Sequence, residues 1–262
     1  MSAVILRDEI VHYEVLGRGR PLVFMHGWIG SWRYWIPSMQ SASTSFRAYA
    51  LDMWGFGDSA KNPSKYTLHS QVELLECFMD KLGISRIAII GHGLGSFIAT
   101  EFSIKNPGLV DRLMAISYPL DGQGLNPRLY STGPSELAEW LLNKAPESEI
   151  ARQEAAKADF QAITTSLTMI QSLPPEGLIS RLNTPCLFVT GQNDPLITLP
   201  STDDSYSLPD FTHHILFEQS GHFPMLDEST KFNRLLADFL ALPQGVSPRQ
   251  LQLKEEWKRR IR

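Results

Sequence analysis

The stretch RIAIIGHGLGS, residues 86–96, decides how the rest of the chain is read. Its first half is apolar and rich in isoleucine, which predicts a buried strand over residues 86–90. Glycines then predict a sharp turn, and residues 96–102 continue with the spacing of a helix. Strand, glycine turn and helix are typical of a nucleophile elbow, in which the pattern G-x-S-x-G puts a serine at the tip of the turn. Here the pattern reads Gly91-His92-Gly93-Leu94-Gly95, so the tip carries no side chain.

The composition is that of a globular protein with a substantial core. The chain has 262 residues, 43% hydrophobic and 20% charged, which suits one domain with an insertion. No apolar run approaches the roughly 20 residues that cross a bilayer, and residues 1–8 lack the charged-then-apolar order of a signal peptide. Neither Cys77 nor Cys186 belongs to a C-x-x-C pair, so we expect buried free thiols and a cytoplasmic location.

Charge is distributed unevenly along the chain. The net charge is −4, but residues 247–262 hold six Lys/Arg and two Glu, which leaves an acidic body of −8. An acidic body argues against a nucleic-acid partner. We expect the basic tail to be a solvated terminal helix, with a docking or membrane-surface role as the alternative. The sequence does not indicate an oligomeric state.

Short apolar runs alternate with helical patterns. The predicted strands lie at residues 3–7, 10–16, 21–25, 46–51, 86–90, 113–117, 186–190 and 213–217. Thr67 is placed to cap a helix over 68–82, Ser31 to cap one through the tryptophan-rich segment, and a last helix is expected at about 228–240. This alternation predicts an α/β fold whose mostly parallel sheet has helices on both faces.

The segment 121–182 departs from the alternation. It is rich in Ala, Glu, Leu and Gln, has helical spacing, and predicts three or four helices inserted between two strands. We therefore divide the chain into a first core part (1–120), the insertion (121–182), a second core part (183–243) and the basic tail (244–262). In a parallel sheet, ligands bind outside the carboxyl ends of the strands.

Five motifs follow predicted strands in a fixed order. They are His-Gly-Trp at 26–28, D-x-x-G-x-G-x-S at 52–59, the elbow at 91–95, G-x-x-D at 191–194 and Gly-His at 221–222. Together they resemble the α/β-hydrolase superfamily, in particular its capped carboxylesterases and lipases, over most of the chain. The resemblance implies an α/β-hydrolase fold with the insertion as a helical cap ahead of the strand that leads to Asp194.

The resemblance also implies roles for single residues. His222 would be the general base, and Asp194 would hold its tautomer and stabilise the imidazolium. The backbone N–H groups of Trp28 and Leu94 would form an oxyanion hole, which stabilises charge developing on a carbonyl oxygen. Gly93 stands at the nucleophile position without the side chain that an acyl-enzyme needs.

The remaining residues of interest near the motifs are candidates either for the substrate pocket or for a structural role. His26, Trp28 and His92 are candidates for the substrate pocket, although His26 also suits a hydrogen bond that fixes its loop, and His92 suits packing beside the sheet. Asp52 and Asp58 are expected to hold loops. His213 and His214 alternate across a strand and cannot face one metal ion, so neither a metal nor another cofactor is predicted.

Three functional hypotheses fit a glycine tip. The first is a relative of Ser-His-Asp ester hydrolases, acting on an apolar ester or acyl compound when the nucleophile is present. Gly93 would then mark a natural silent homologue or a variant made to trap a substrate. The second is a small-molecule binding or signalling protein, and the third is a proton-transfer enzyme that uses His222 and Asp194, of the lyase or cofactor-free dioxygenase type. Ser96 is disfavoured as a substitute nucleophile because it lies one helical turn beyond the tip.

Overall fold

The computed structural model describes residues 2–120, 124–173, 178–199 and 208–251. Within these residues, eight strands form one sheet. In chain order they are β1 (Ser2–Leu6), β2 (Glu9–Leu16), β3 (Arg20–Met25), β4 (Phe46–Leu51), β5 (Ile87–His92), β6 (Val110–Ile116), β7 (Cys186–Gly191) and β8 (Thr212–Phe217). The spatial order is β1-β2-β4-β3-β5-β6-β7-β8. The pairs β1–β2 and β2–β4 are antiparallel, and all the others are parallel.

Helices cover the sheet on both sides. In chain order they are α1 (Ile36–Ala42), α2 (Leu68–Leu82), α3 (Leu94–Lys105), α4 (Arg128–Ser131), α5 (Pro134–Leu141), α6 (Glu149–Ala155), α7 (Phe160–Gln171), α8 (Pro224–Asp227) and α9 (Ser229–Ala241). Helix α1 packs on α9, and α2 packs on α3. Every residue of β5 and β7 is buried, which requires cover on both faces and explains their continuous apolar sequences. The predicted fold class is confirmed.

Local sequence signals explain several element boundaries. The Thr67 hydroxyl accepts a hydrogen bond from the Ser70 N–H at the start of α2, and Gly83 ends that helix in the left-handed conformation. Arg7 and Asp8 both have positive φ, as a two-residue hairpin turn between β1 and β2 requires. Ser31 caps a short 3-10 helix, Trp32–Trp35, through the tryptophan-rich segment.

A few expectations need correction or fall outside the described residues. Cys77 is half-buried rather than buried, although both cysteines are free thiols as predicted. Strand β6 begins at Val110, three residues earlier than expected. Of the terminal helix expected over residues 247–262, only residues 247–251 are described, and they contain a short 3-10 helix, Pro248–Gln250. Residues 252–262, and the first residues of the expected insertion, 121–123, lie outside the described residues.

Helices α4 to α7, which we call the helical insertion, lie between β6 and β7. None of the helices in the described ranges combines the length and apolar character that a membrane span needs.

Candidate active site

Gly93 forms the tip of the turn between β5 and α3. Its backbone has φ +50° and ψ −115°, a conformation that costs a residue with a Cβ of the order of 1–3 kcal/mol. The Gly93 N–H donates to the Ile116 carbonyl of β6 at 2.9 Å. Its own carbonyl accepts from the Ser96 hydroxyl at 2.6 Å. The tip is thus fixed from both sides, and Ser96 is engaged in holding it rather than presented as a nucleophile.

Asp194 and His222 meet beyond the carboxyl ends of β7 and β8. The His222 Nδ1 lies 2.8 Å from the Asp194 Oδ2, and both side chains are buried. The other carboxylate oxygen accepts from the Leu196 N–H at 2.8 Å. With Nδ1–H donating to the carboxylate, the imidazole keeps Nε2 unprotonated. That atom makes no hydrogen bond with any residue that the structure describes, so it can take up a proton.

The loop after β7 holds Asp194, and the loop after β8, residues 218–223, holds His222; we call the latter the histidine loop. The backbones of these two loops approach each other closely. A Cβ at Gly191, the last residue of β7, would collide with the carbonyl oxygens of Ser220 and Gly221. The Asn193 N–H donates to the Ser220 carbonyl at 2.9 Å, and the Gly221 N–H donates to the Asp227 carboxylate at 2.8 Å. A glycine at the end of β7 is therefore needed for the histidine loop to reach Asp194.

His92 connects the histidine loop to the loop after β3. Its Nε2 donates to the His222 carbonyl at 2.8 Å, and its Nδ1 accepts from the Tyr34 hydroxyl at 2.9 Å. The same hydroxyl accepts from the Gly27 N–H at 2.7 Å. Burial, together with the nearby His222, holds the pKa of His92 well below its ordinary value, so the ring is neutral. Both nitrogens are used, as the packing interpretation of His92 requires.

Two backbone N–H groups beside the tip find no acceptor among the residues that the structure describes. Neither the Trp28 N–H nor the Leu94 N–H donates to a hydrogen bond within the described residues. The Gly95 N–H donates to the His26 carbonyl at 3.0 Å and so holds the loop after β3 against the start of α3. Because buried N–H groups are rarely left unpaired, these two are suited to an oxygen atom of a ligand.

His26 and Asp52 hold neighbouring loops. The His26 Nδ1 donates to the Gly27 carbonyl at 2.8 Å, and its Nε2 accepts from the Met53 N–H at 3.1 Å. The Asp52 carboxylate accepts from the N–H groups of Trp32 at 2.8 Å and Asp58 at 2.9 Å. Both side chains therefore act on their loops, and a place for His26 in a substrate pocket stays a prediction.

One group of possible metal ligands occurs in the described ranges, formed by His12, Asp52 and Asp58. The His12 Nδ1 lies 3.2 Å from the Asp52 carboxylate. Asp58 forms an ion pair with Lys157 at 2.9 Å, and the hydrogen bond from that ammonium lowers the pKa of Asp58. These carboxylates already accept donors from the protein, so the cluster serves the loops.

The helical insertion contacts the core next to the tip. The Trp28 indole N–H donates to the Ser166 hydroxyl of α7 at 3.1 Å. The Ser31 hydroxyl donates to the Glu154 carboxylate of α6 at 2.8 Å. Asn143, which follows α5, donates to Asp227 of α8, whose carboxylate also accepts from the Gly221 N–H of the histidine loop. The insertion is therefore bonded to the loop after β3 and, through Asp227, to the histidine loop.

Sequence reasoning missed four residues of this arrangement: Tyr34, Ser117, Ser166 and Asp227. The Ser117 hydroxyl donates to the His222 carbonyl at 3.0 Å, from a backbone with φ +52°. Tyr34 and Ser117 follow β3 and β6, so the rule that ligand sites lie beyond the carboxyl ends of strands could have drawn attention to them. Nothing in the sequence marks Ser166 or Asp227.

Comparison with known proteins supports the fold. Residues 20–139 match the family model described as the alpha/beta hydrolase fold. The chain belongs to the α/β-hydrolase superfamily, and the sheet and helices described above are the α/β-hydrolase fold.

Three relatives illustrate the range of the superfamily around this chain. The putative carbamate hydrolase RutD of Stutzerimonas stutzeri is 28% identical, over 88% of this chain and 97% of that protein. A pimeloyl-[acyl-carrier protein] methyl ester esterase of Vibrio cholerae is 22% identical, over 87% of this chain and 97% of that protein. A serine-to-glycine mutant of the N-acyl homoserine lactonase AidH, crystallised with N-hexanoyl homoserine lactone, has a TM-score of 0.78 at 22% identity, covering 91% and 96% of the two chains.

Proposed function

We propose that this chain binds a small acyl compound beneath the helical insertion, which acts as a cap, and cleaves it without a covalent intermediate. The observation that carries the proposal is the His222–Asp194 pair, joined at 2.8 Å although Gly93 offers no nucleophile. A pair whose Nε2 can accept a proton can activate water directly. Hydrolytic sites that lose a triad member still accelerate hydrolysis by roughly 10³–10⁴-fold over water through the oxyanion hole and substrate binding alone, and water activation by His222 would add to that.

The proposed reaction has two steps. The His222 Nε2 takes a proton from a water molecule as its oxygen bonds to the carbonyl carbon, and the resulting oxyanion accepts from the N–H groups of Trp28 and Leu94. The carbonyl then re-forms, the bond to the leaving group breaks, and the imidazolium returns its proton to that group. Asp194 stabilises the imidazolium between the two steps.

The relative named as a putative carbamate hydrolase suggests a second substrate class. An N-carboxylate, R–NH–COO⁻, needs no nucleophile, because a proton delivered to nitrogen lets the C–N bond break into an amine and carbon dioxide. The same His222 could deliver that proton while the two free N–H groups hold the carboxylate. A methyl ester esterase and an N-acyl homoserine lactonase are also similar to this chain, so we take an apolar acyl compound as the first candidate.

The test uses the purified chain with the ester p-nitrophenyl butyrate and with the N-carboxylate N-benzylcarbamate. We expect slow turnover of at least one of them, without an initial burst of product. His222→Ala should lower that rate by about 10²–10⁴-fold, the usual contribution of a general base. The matched control is His69→Ala on α2, an exposed histidine away from the site, which should keep the parent rate.

Two outcomes would count against this function. A burst followed by slower turnover would reveal a covalent intermediate, and an unchanged rate in His222→Ala would show that the pair does no chemistry. A substrate that raises the melting temperature without being turned over would favour the alternative of a binding or signalling protein. The free thiols Cys77 and Cys186 support a reducing compartment such as the cytoplasm as the setting.

A further inference from the structure

We propose that the indole of Trp28 is the steric counterpart of the bare tip. In this proposal, the ring is held beside Gly93 in the space that a nucleophile's Cβ would enter, and it forms the wall of the acyl site. Trp28 would then be the residue that excludes a side chain at position 93. The proposal rests on the proposed function, because it takes the tip as the place where the acyl compound binds.

The first argument is the distance between the tip and the ring. A Cβ built on Gly93 would lie 3.2 Å from both Cε3 and Cζ3 of Trp28, and 3.4 Å from the Cα of Gly27. Carbon atoms prefer separations of about 3.5–4.0 Å. A side chain at position 93 therefore has to displace the indole as well as adopt a positive φ.

The second argument is that the indole cannot easily move away. Trp28 is 1% exposed, and its N–H donates to the Ser166 hydroxyl at 3.1 Å. That hydroxyl is itself fixed, because it donates to the Ile163 carbonyl at 2.7 Å. The indole also packs against the Phe97 ring of α3, with the centroids 6.2 Å apart. Even a small shift of the ring would strain a buried hydrogen bond to the helical insertion and the packing on Phe97.

A second glycine allows the two obstacles, backbone strain and contact with the indole, to be measured separately. Gly83 also has a positive φ, +64°, although its ψ of +35° puts it in the ordinary left-handed region, and a Cβ built there would have nothing within 4 Å. A substitution at Gly83 therefore meets backbone strain alone, whereas one at Gly93 meets strain and the indole. Gly83→Ala is the matched control for the contribution of Trp28.

The experiment restores a nucleophile and measures its reactivity with diisopropyl fluorophosphate. In Gly93→Ser, the new hydroxyl would attack phosphorus, fluoride would leave, and His222 would take the hydroxyl proton. The rate of labelling is followed by the increase in mass of the intact protein. We expect Gly93→Ser/Trp28→Leu to label roughly tenfold faster than Gly93→Ser, since the smaller leucine leaves room for the serine side chain at the tip. Trp28→Leu alone should remain unlabelled at position 93. Equal labelling rates for the two serine variants would overturn the proposal.

A stability cycle decides the question if neither serine variant is labelled. Gly93→Ala should lower the urea midpoint more in the parent than in Trp28→Leu, because the strain from φ is present in both and cancels. Gly83→Ala should lower it equally in both backgrounds. If Trp28→Leu does not fold, Ser166→Ala frees the indole and takes its place in the cycle. Equal costs at Gly93 in both backgrounds would refute the role of Trp28. Neither readout depends on turnover by the parent chain, so a failure of the proposed function would be seen separately.

Discussion

At the scale of single residues, the site is defined by one missing side chain and by the groups that remain around it. In the proposed reaction Gly93 supplies no nucleophile, and proton transfer and oxyanion binding depend on His222 and on the N–H groups of Trp28 and Leu94. Those groups are held by residues that touch no substrate in the proposed reaction. One of them is Tyr34, whose hydroxyl lies between the Gly27 N–H and the His92 Nδ1.

Tyr34→Phe should therefore destabilise the fold although it removes a single oxygen. The change leaves the buried Gly27 N–H and the His92 Nδ1 without partners, which should lower the free energy of unfolding by about 1–3 kcal/mol. Urea unfolding followed by circular dichroism measures this loss. Tyr49→Phe is the control, since the Tyr49 hydroxyl makes no hydrogen bond within the described residues, and it should change stability by less than about 0.5 kcal/mol. Equal losses in both variants would show that the Tyr34 hydroxyl does not support the loop.

At the scale of elements, the sequence predicts the central strands β3, β5 and β7 well, because each is a short apolar run followed by a polar motif. Strand ends on one edge of a parallel sheet also suffice to predict that Asp194 and His222 come together, and they meet at 2.8 Å. The contacts of the helical insertion could not be predicted. Trp28 and Ser166 lie 138 positions apart, and a serine within a helical pattern carries no local signal of its partner.

The position of α6 depends on a buried carboxylate. Glu154 pairs with Arg33 at 3.3 Å and with Lys157 at 2.9 Å, and it accepts from Ser31. Glu154→Gln keeps the shape but removes the charge, so we expect a loss of about 1 kcal/mol, moderated by the partial exposure of both cations. Hydrogen exchange of the α6 amides should become faster.

Glu149→Gln, in the first turn of the same helix, provides the comparison for Glu154. Its carboxylate is 57% exposed and pairs with Arg152, so exchange should stay near the parent rate. If exchange in α6 were equally fast in both glutamine variants, the buried carboxylate would not be what holds the insertion against the core.

At the scale of the whole molecule, buried histidines make the fold sensitive to acid. Burial lowers the pKa of His26, His92 and His214, to about 4 for His214. In the unfolded chain these groups take up protons below about pH 6.5, so the unfolded state binds more protons and stability falls as the pH drops. His12 acts in the opposite direction, because its hydrogen bond to Asp52 raises its pKa.

The free energy of unfolding should therefore decrease between pH 7.5 and pH 5, measured by urea unfolding in matched buffers. With a folded-state pKa of about 4, His214 alone accounts for about 2 kcal/mol of the loss at pH 5. His214→Gln should flatten the profile by that amount. His12→Gln should make the profile steeper. The stabilisation that protonated His12 provides is fully present below its unfolded-state pKa and is lost as the pH rises through its raised folded-state pKa, so it opposes the loss of stability in acid. If the two variants shifted the slope in the same direction, the assignment of these opposite shifts to burial and to Asp52 would be wrong.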